Sequence, residues 1–401
     1  MCTWRSSIDG VRRAALRLAV LALGTAAGLA ATDEPTARAA FQVDFPYPTS
    51  DKPQSKLWHA DGVWWALLPR SSGPSLWERT AAGWREHAGV TEKLRGVPGR
   101  GDVWSDGDGA TVVTVADRML AIIRLRRGGA GGPWDADVRA RLAAPVSDVI
   151  ETATIARDGD GRWWVAAPIS GRVFVWTSPD AKAWTAPEQL AGGLHVDDLC
   201  LVTPLPGGVA VIWSDQKGDA VRLRFHRTGG AISGWEKPVT IARGGGTADD
   251  HLDAAFAADG TVWLATKNSV DGPGRPQLVL RVRDPQGTWR NYDYAPLGDA
   301  EAPSRPTVIA TATPGDVRLG HVVYGSGPAQ RDRIVFGRAD PMRAEILVDA
   351  RTVIAPDDPT ARVNDITGPK AAFPATGPWI VLASDAQGRV YEADLNAGAW
   401  K

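Results

Sequence analysis

The stretch TATIARDGDGRWWVAAPISGRVFVWTSPDAKAW, residues 152–184, decides the fold. Thr152 to Ala156 is a short, mostly apolar strand, and Arg157 to Gly161 turns the chain. Trp163 to Ala167 returns as a second apolar strand, and Arg172 to Thr177 is a third. Ser178 to Trp184 turns again, and Glu188 to Leu190 opens an outer strand. Apolar runs of this length, bounded by Gly, Asp and Pro, are strands joined by tight turns. No part of the chain sustains the spacing of an amphipathic helix.

This grammar recurs seven times in 401 residues. Trp84, Trp134, Trp184, Trp235, Trp289 and Trp400 follow the third strands, at steps of 50, 50, 51, 54 and then 111 residues. The last step is two periods with one Trp absent. The turn glycines keep the same step: Gly62, Gly109, Gly161, Gly208, Gly260, Gly315 and Gly377. A repeat of about fifty residues made only of strands is a propeller blade. The fold class is all-β and the architecture a seven-bladed β-propeller; one miscounted repeat would make it six or eight. Each recurrent Trp is expected to wedge between neighbouring sheets. The last repeat, from Pro378 to Trp400, has three strands and lacks a fourth. The alternating segment Phe41 to Phe45 can supply it, closing the ring without an exposed edge.

The N-terminus has a different character. Arg5, Arg12, Arg13 and Arg17 precede the apolar run Leu18 to Ala31, and small residues offer cleavage after Ala30 or after Ala39. That order is a secretory signal peptide over residues 1–31. The apolar run has 14 residues, too few to span a bilayer. Residues 32–40 read as a linker and 41–401 as one propeller domain. The expected product is secreted, monomeric and free of the membrane after cleavage. Cys200 is then the lone cysteine, so no intramolecular disulfide forms. A net charge of -1 gives no basic field for nucleic acid.

Ten residues before each turn glycine stand Lys52, Gly99 (beside Arg100), Glu151, Asp198, Asp250, Arg305 and Thr367. These are the starts of the innermost strands, and in a ring they converge on one mouth of the central channel. Asp197, His251, Asn364 and Asp365 are their neighbours, and second-strand ends add Ser214, Asp215 and Lys267. The candidate ligand-binding set is Glu151, Asp198, Asp250, His251, Lys267, Arg305, Asn364 and Asp365. The plainer reading is that strand starts at a rim face water and are polar for that reason alone. Three chemistries fit the residue types. Clustered carboxylates can bind Ca2+. Two carboxylates can act as acid and base in glycoside hydrolysis. His251, with Asp250 and Arg305, can abstract a proton and neutralise a uronate, as in a lyase. No cofactor is evident: zinc-type His and Cys spacing, a nucleotide-binding Gly loop and a Gly-x-Ser-x-Gly elbow are all absent.

Asp249-Asp250-His251, Gly260 to Lys267, Gly287-Thr288-Trp289, Asn364 to Lys370 and Val211 to Gln216 together resemble a group of secreted bacterial propellers allied to the sialidase superfamily. Ser178 to Trp184 and Asp284 to Trp289 resemble degenerate Asp-box turns, which are fold features of that superfamily. The resemblance implies a secreted propeller and brings no activity with it. True sialidases carry an arginine triad, a Tyr-Glu pair and an acidic Asp, and that set is not found here, so sialidase activity is not expected. The expected function is recognition of an extracellular glycan or other polymer at the channel mouth. The alternatives are a carbohydrate-active lyase or hydrolase using the same mouth, and an envelope scaffold.

Overall fold

Phe41 pairs with Val390 and Gln42 with Arg389, so the N-terminal strand joins the C-terminal sheet as its outermost member. This is the computed structural model of the chain, and it describes residues 37–397 apart from 108, 130–131, 258, 271, 326–330 and 344. Residues 1–31, expected above to be a signal peptide and including Cys2, and Trp400 lie outside the described residues. The described chain forms seven four-stranded antiparallel sheets. Blades 1 to 6 run consecutively, with inner strands Leu57–Ala60, Arg100–Ser105, Thr154–Arg157, Cys200–Leu205, Leu252–Phe256 and Glu301–Ala310. Blade 7 has inner strand Asn364–Thr367, then Ile380–Ser384, Arg389–Asp394 and, from the other end of the chain, Phe41–Gln42. The seven-bladed reading and its closure both hold. One helix, Ala88–Lys93, links blades 1 and 2.

Each interface between blades is its own apolar layer. Val113, Leu120 and Ile122 of blade 2 meet Ile155, Trp163 and Trp176 of blade 3, all buried. Equivalent layers join the other neighbours, and the largest runs from blade 6 through blade 7 into blade 1. The recurrent tryptophans serve these layers. Trp134 of blade 2 packs edge-on against Trp65 of blade 1, centroids 4.9 Å apart. Trp235 of blade 4 packs edge-on against Trp164 of blade 3 at 5.4 Å. Trp84 of blade 1 packs against Phe41 at 5.5 Å and donates its indole N–H to Glu392 of blade 7. The turn glycines divide into two kinds. Gly161 has φ +82, a conformation suited to glycine. Gly208 is extended, but a Cβ there would lie 2.0 Å from the His226 carbonyl oxygen. In that turn Gly207, at φ +77, takes the left-handed conformation.

Inner strands have one edge without a strand partner, and its N–H groups need acceptors. Side chains of the preceding blade provide them. Thr367 of blade 7 accepts from Lys56 N–H at 2.8 Å, and Thr154 of blade 3 accepts from Val202 N–H at 2.9 Å. Asp102 of blade 2 accepts from Ile155 N–H at 2.7 Å, and Asp253 of blade 5 from Val308 N–H at 2.9 Å.

The channel is filled at three levels. The segment from Thr49 to Lys56 crosses the axis as a strap. Its Gln54 donates to the Ala153 carbonyl of blade 3 at 3.0 Å, and Ser55 Oγ donates to the Gly368 carbonyl of blade 7 at 2.6 Å. Ser55 N–H donates to Asp102 of blade 2 at 2.8 Å. Deeper, Lys370 of blade 7 reaches over to Asp102 and to the Ile155 carbonyl. At the far end Trp104 of blade 2 stacks on Phe256 of blade 5, centroids 5.8 Å apart and rings 8° from parallel. Blades 2 and 5 are not neighbours, so this pair meets across the axis.

Two measurements check this account. Phe41→Ala removes the aromatic contact that holds the closing strand on Trp77 and Trp84. It is expected to cost about 3 kcal/mol, the low end for a Phe truncation, and an unchanged urea midpoint would refute that role for Phe41. Burial pushes the Asp253 carboxyl up to about 6. From about pH 4 to 6 the folded state therefore keeps a proton that the unfolded state has lost, and stability falls as pH rises, by about 3 kcal/mol in full. Asp253→Asn keeps the acceptor for Val308 and removes the titration. The difference in stability between variant and parent should grow across that window; a difference independent of pH would count against the assignment.

Candidate functional site

The strap and the inner-strand starts of blades 5, 6 and 7 build one polar network at the mouth. His251 lies just ahead of the inner strand of blade 5, buried, with Nδ1 2.6 Å from Asp249 and also in contact with Asp250. Lys52, from the strap, places Nζ 2.8 Å from His251 Nε2 and 2.8 Å from Asp250. An ammonium has only hydrogens to offer, so Nε2 is the acceptor and the ring N–H at Nδ1 donates to the carboxylates. Lys267 completes this side, 2.7 Å from the second oxygen of Asp249. Ser269 Oγ lies 3.2 Å from that oxygen, and Ser304 Oγ lies 3.5 Å from His251 Nε2.

The other side comes from blades 6 and 7. Both inner strands carry a register irregularity at the mouth, between Ser304 and Thr307 and between Asn364 and Thr367. Arg305 and Asp365 lie within them at φ +53 and +35, unusual values for residues with a Cβ. A bulge re-aims a side chain, and here the two side chains meet: Arg305 Nη1 is 2.6 Å from Asp365 Oδ1. Arg305 Nε donates to the Tyr324 hydroxyl at 2.7 Å, and that hydroxyl donates to Asn364 Oδ1 at 2.6 Å. Burial pushes the Tyr324 phenol up to about 12, so it remains a donor. Backbone strain of this kind, when a matched ion pair stabilises it, is a mark of a functional site.

The electrostatics follow from these contacts. Burial would raise the Asp250 carboxyl, but the hydrogen bonds and positive charge around it hold it far below the ordinary carboxylate range. Burial lowers the Lys52 ammonium, with Asp250 opposing that effect. Lys56, fully buried beneath, is brought down to about 8 by the same loss of water. Glu151 stands at the rim, and loss of water in the concave mouth raises its carboxyl, with Lys52 opposing and Asp250, Asp51 and Asp197 adding repulsion.

Of the residues singled out by position, the structure joins Asp250, His251, Lys267, Arg305, Asn364 and Asp365 in this network. Glu151 stands beside it on the blade 3 rim. Asp198 does not join. It is buried and accepts from Ser214 Oγ at 2.9 Å, from Gln216 N–H and from His195 N–H, all within blade 4 and its leading loop. Asp215 pairs with Arg222 of the same blade at 2.7 Å. Thr367 lies deeper, on the Lys56 N–H. The sequence reasoning missed Asp249, Tyr324 and Ser304. Asp249 carried a signal, since it stands next to Asp250 in an acidic pair ahead of His251.

Asp249, Asp250 and His251 bring ligand-type atoms within 4.8 Å of one another. As a calcium cradle they fit poorly. Calcium takes about six to eight oxygens, one of these three donors is an imidazole nitrogen, and Lys52 and Lys267 already hold the carboxylates. Beneath the strap, between Lys52, Asp253, Arg305 and Lys370, remains a cavity of about 30 Å³. That is room for a water or two, since one needs about 10–15 Å³.

No family model matches the chain, and no curated protein matches it. Similar solved structures include a protein from Lactobacillus plantarum, 13% identical, TM-score 0.49, covering 87% of this chain and 93% of that one. An α-L-arabinanase of Penicillium chrysogenum, complexed with arabinobiose, is 13% identical with TM-score 0.46, covering 76% of this chain and 99% of that one. An α-L-arabinofuranosidase of Fusarium graminearum, in complex with an iminosugar inhibitor, is 11% identical with TM-score 0.43, covering 78% of this chain and 97% of that one.

The Arg305–Asp365 pair yields a test of the network. The Asp365 side chain is only 7% exposed, so Arg305→Met leaves a buried carboxylate without its partner. The expected cost is about 3 kcal/mol. Arg305→Met with Asp365→Asn should cost less than the sum of the single changes. Strict additivity in chemical denaturation would mean that the two side chains are not coupled.

Proposed function

We propose that this is a secreted glycan-binding propeller that recognises its ligand at the channel mouth, without cleaving it. The observation that carries this reading is the strap. It crosses the axis over a cavity of about 30 Å³, too small for a sugar ring, so a ligand can engage only the rim. Hydrolysis by the usual route needs two carboxylates free to flank one bond. Here Asp249, Asp250 and Asp365, the carboxylates beside His251 and Arg305, are each fixed by a Lys or Arg, which leaves Glu151 and Asp197 as the exposed carboxylates of the rim. Charged groups fixed in this way suit a different task. They present rigid, charge-assisted hydrogen bonds to hydroxyls at little cost in side-chain freedom. The exposed carboxylates Glu151 and Asp197 make the rim acidic on the side of blades 3 and 4, which favours a neutral polyhydroxyl chain over a uronate. The order of basic, apolar and small residues at the N-terminus supports export.

A second reading rests on His251. Its Nδ1–H is anchored on carboxylates and its Nε2 faces the axis, which is how a general base is held. That role requires Lys52 to leave Nε2.

One experiment decides between them. The purified protein is incubated with a panel of neutral and acidic polysaccharides, and affinity, new reducing ends and unsaturated uronate absorbance are followed together. Binding of a neutral glycan without new ends, weakened about tenfold in Glu151→Gln with Asp197→Asn, is the expected result. New ends that vanish in His251→Ala with Asp250→Ala would overturn the binding-only reading and establish an enzyme at this mouth.

A further inference from the structure

On the side away from the mouth, blades 2 and 3 part to leave a cleft of about 280 Å³. That is near the lower end, about 300 Å³, of pockets that hold small ligands. The third strand of blade 2, Met119–Arg127, explains it. Leu120 and Ile122 are buried against blade 3. Two and four residues further on, the same face carries Arg124 and Arg126, which line the cleft together with Arg139, Arg157 and Trp163.

Each guanidinium is held in place. Arg124 grips Asp106 with both terminal nitrogens, at 2.6 and 3.1 Å. Arg126 and Arg139 share Asp137, at 3.1 and 2.7 Å. Arg139 is the extra residue where the strand pairing slips between Ile122 and Ile123, and its side chain is 15% exposed. Arg157 lies over the Trp163 ring, 5.2 Å from its centroid, with Nε donating to the Gly161 carbonyl at 2.9 Å. A Cβ at Gly161 would stand 3.0 Å from Nη2 of Arg157, so glycine makes room for this pose. Among the described residues Arg157 has no carboxylate partner. Two carboxylates line the cleft, Asp106 and Asp180, and Asp180 is already bonded by the N–H groups of Lys182 and Ala183. Asp137 pairs with two of the arginines, and Asp158 and Asp160 follow Arg157 in its turn, Asp158 bonded to the Trp164 indole and to backbone N–H groups. Among the residues that line the cleft, four guanidiniums stand against two carboxylates.

We propose that this cleft is a second carbohydrate site and that it binds the carboxylate of a uronate unit in an acidic polysaccharide. The terminal nitrogens of Arg157 form a planar fork over an aromatic ring, and a planar carboxylate is its geometric match. The bulge places Arg139 as the second donor. The acidic rim and this cleft lie at different places in the fold and select opposite ligand charges, so the cleft does not depend on the reading of the mouth.

The test is isothermal titration of the purified full chain with polygalacturonate, dextran sulfate and neutral dextran. Thermal melting of every variant checks that it is folded. Polygalacturonate should bind and dextran should not. Arg157→Ala should weaken polygalacturonate at least tenfold. Arg157→Lys, which keeps the charge and loses the fork, should weaken it nearly as much, and Arg139→Gln should weaken it as well. Arg227→Ala, which removes an exposed arginine of blade 4 outside both sites, should leave it unchanged. No binding of polygalacturonate, equal binding by the Arg157 variants, or equal loss through Arg227→Ala would overturn the site. Binding of dextran sulfate alone would overturn the carboxylate assignment.

Discussion

A ring of radially arranged sheets leaves every inner strand with one edge facing the axis, and those backbone N–H groups must find acceptors in a space with little water. This chain meets that demand with side chains from the preceding blade. Thr367 serves Lys56, Asp102 serves Ile155, Thr154 serves Val202 and Asp253 serves Val308. Two of these acceptors are aspartates, Asp102 fully buried and Asp253 half-buried, and a carboxylate drawn out of water needs compensation. Lys370 supplies it for Asp102 by crossing the channel from blade 7. Asp253 stays accommodated by shifting its own titration upward. The polar character of the channel interior is therefore a consequence of closing the ring, before any ligand is considered.

The strap follows from the same closure. A ring whose last sheet takes its outer strand from the N-terminus must return the chain from the outside of blade 7 to the inside of blade 1. The segment from Val43 to Lys56 makes that passage, and the route leads over the mouth. Val43 N–H bonds Gly388, Tyr47 N–H bonds Asp385, and Thr49 bonds Ser384 and the Asp365 carbonyl before the chain turns down at Gln54. Lys52 thus reaches the centre of the mouth because of where the ends of the chain are joined. Closing the ring and building the site are one structural act.

The fold was legible because its signal is a period. Strand, turn and Trp recur at a step set by blade size, and the missing fourth strand of the last repeat matched the spare strand near the N-terminus. The site was legible only where the step holds. Counting back from a turn glycine assumes one residue per position along the strand. It placed Asp250 and Arg305 well, since their side chains reach the axis. It misplaced Asp198, whose residue number fits but whose carboxyl turns back to bind Ser214 and the loop N–H groups. Tyr324 lies on a second strand of blade 6 and enters the network only because a bulge turns Arg305 toward it. Neither a bulge nor the path of an irregular strap has a periodic trace, so the contacts they create were not readable in advance.

The ion pairs at the mouth also limit what chemistry can arise there. Asp249 and Asp250 sit beside one imidazole, and Lys267 and Lys52 take one aspartate each. Asp250, held far below the ordinary carboxylate range by its hydrogen bonds and the positive charge beside it, has no proton to give and serves as an acceptor. Lys52 comes from the strap, not from a blade, and burial lowers its ammonium, with Asp250 opposing. With Lys52 in place, the mouth is a rigid set of acceptors and donors. A ligand that bonded to Lys52 would bond to the segment that closes the ring, and its binding would then be linked to the stability of the propeller.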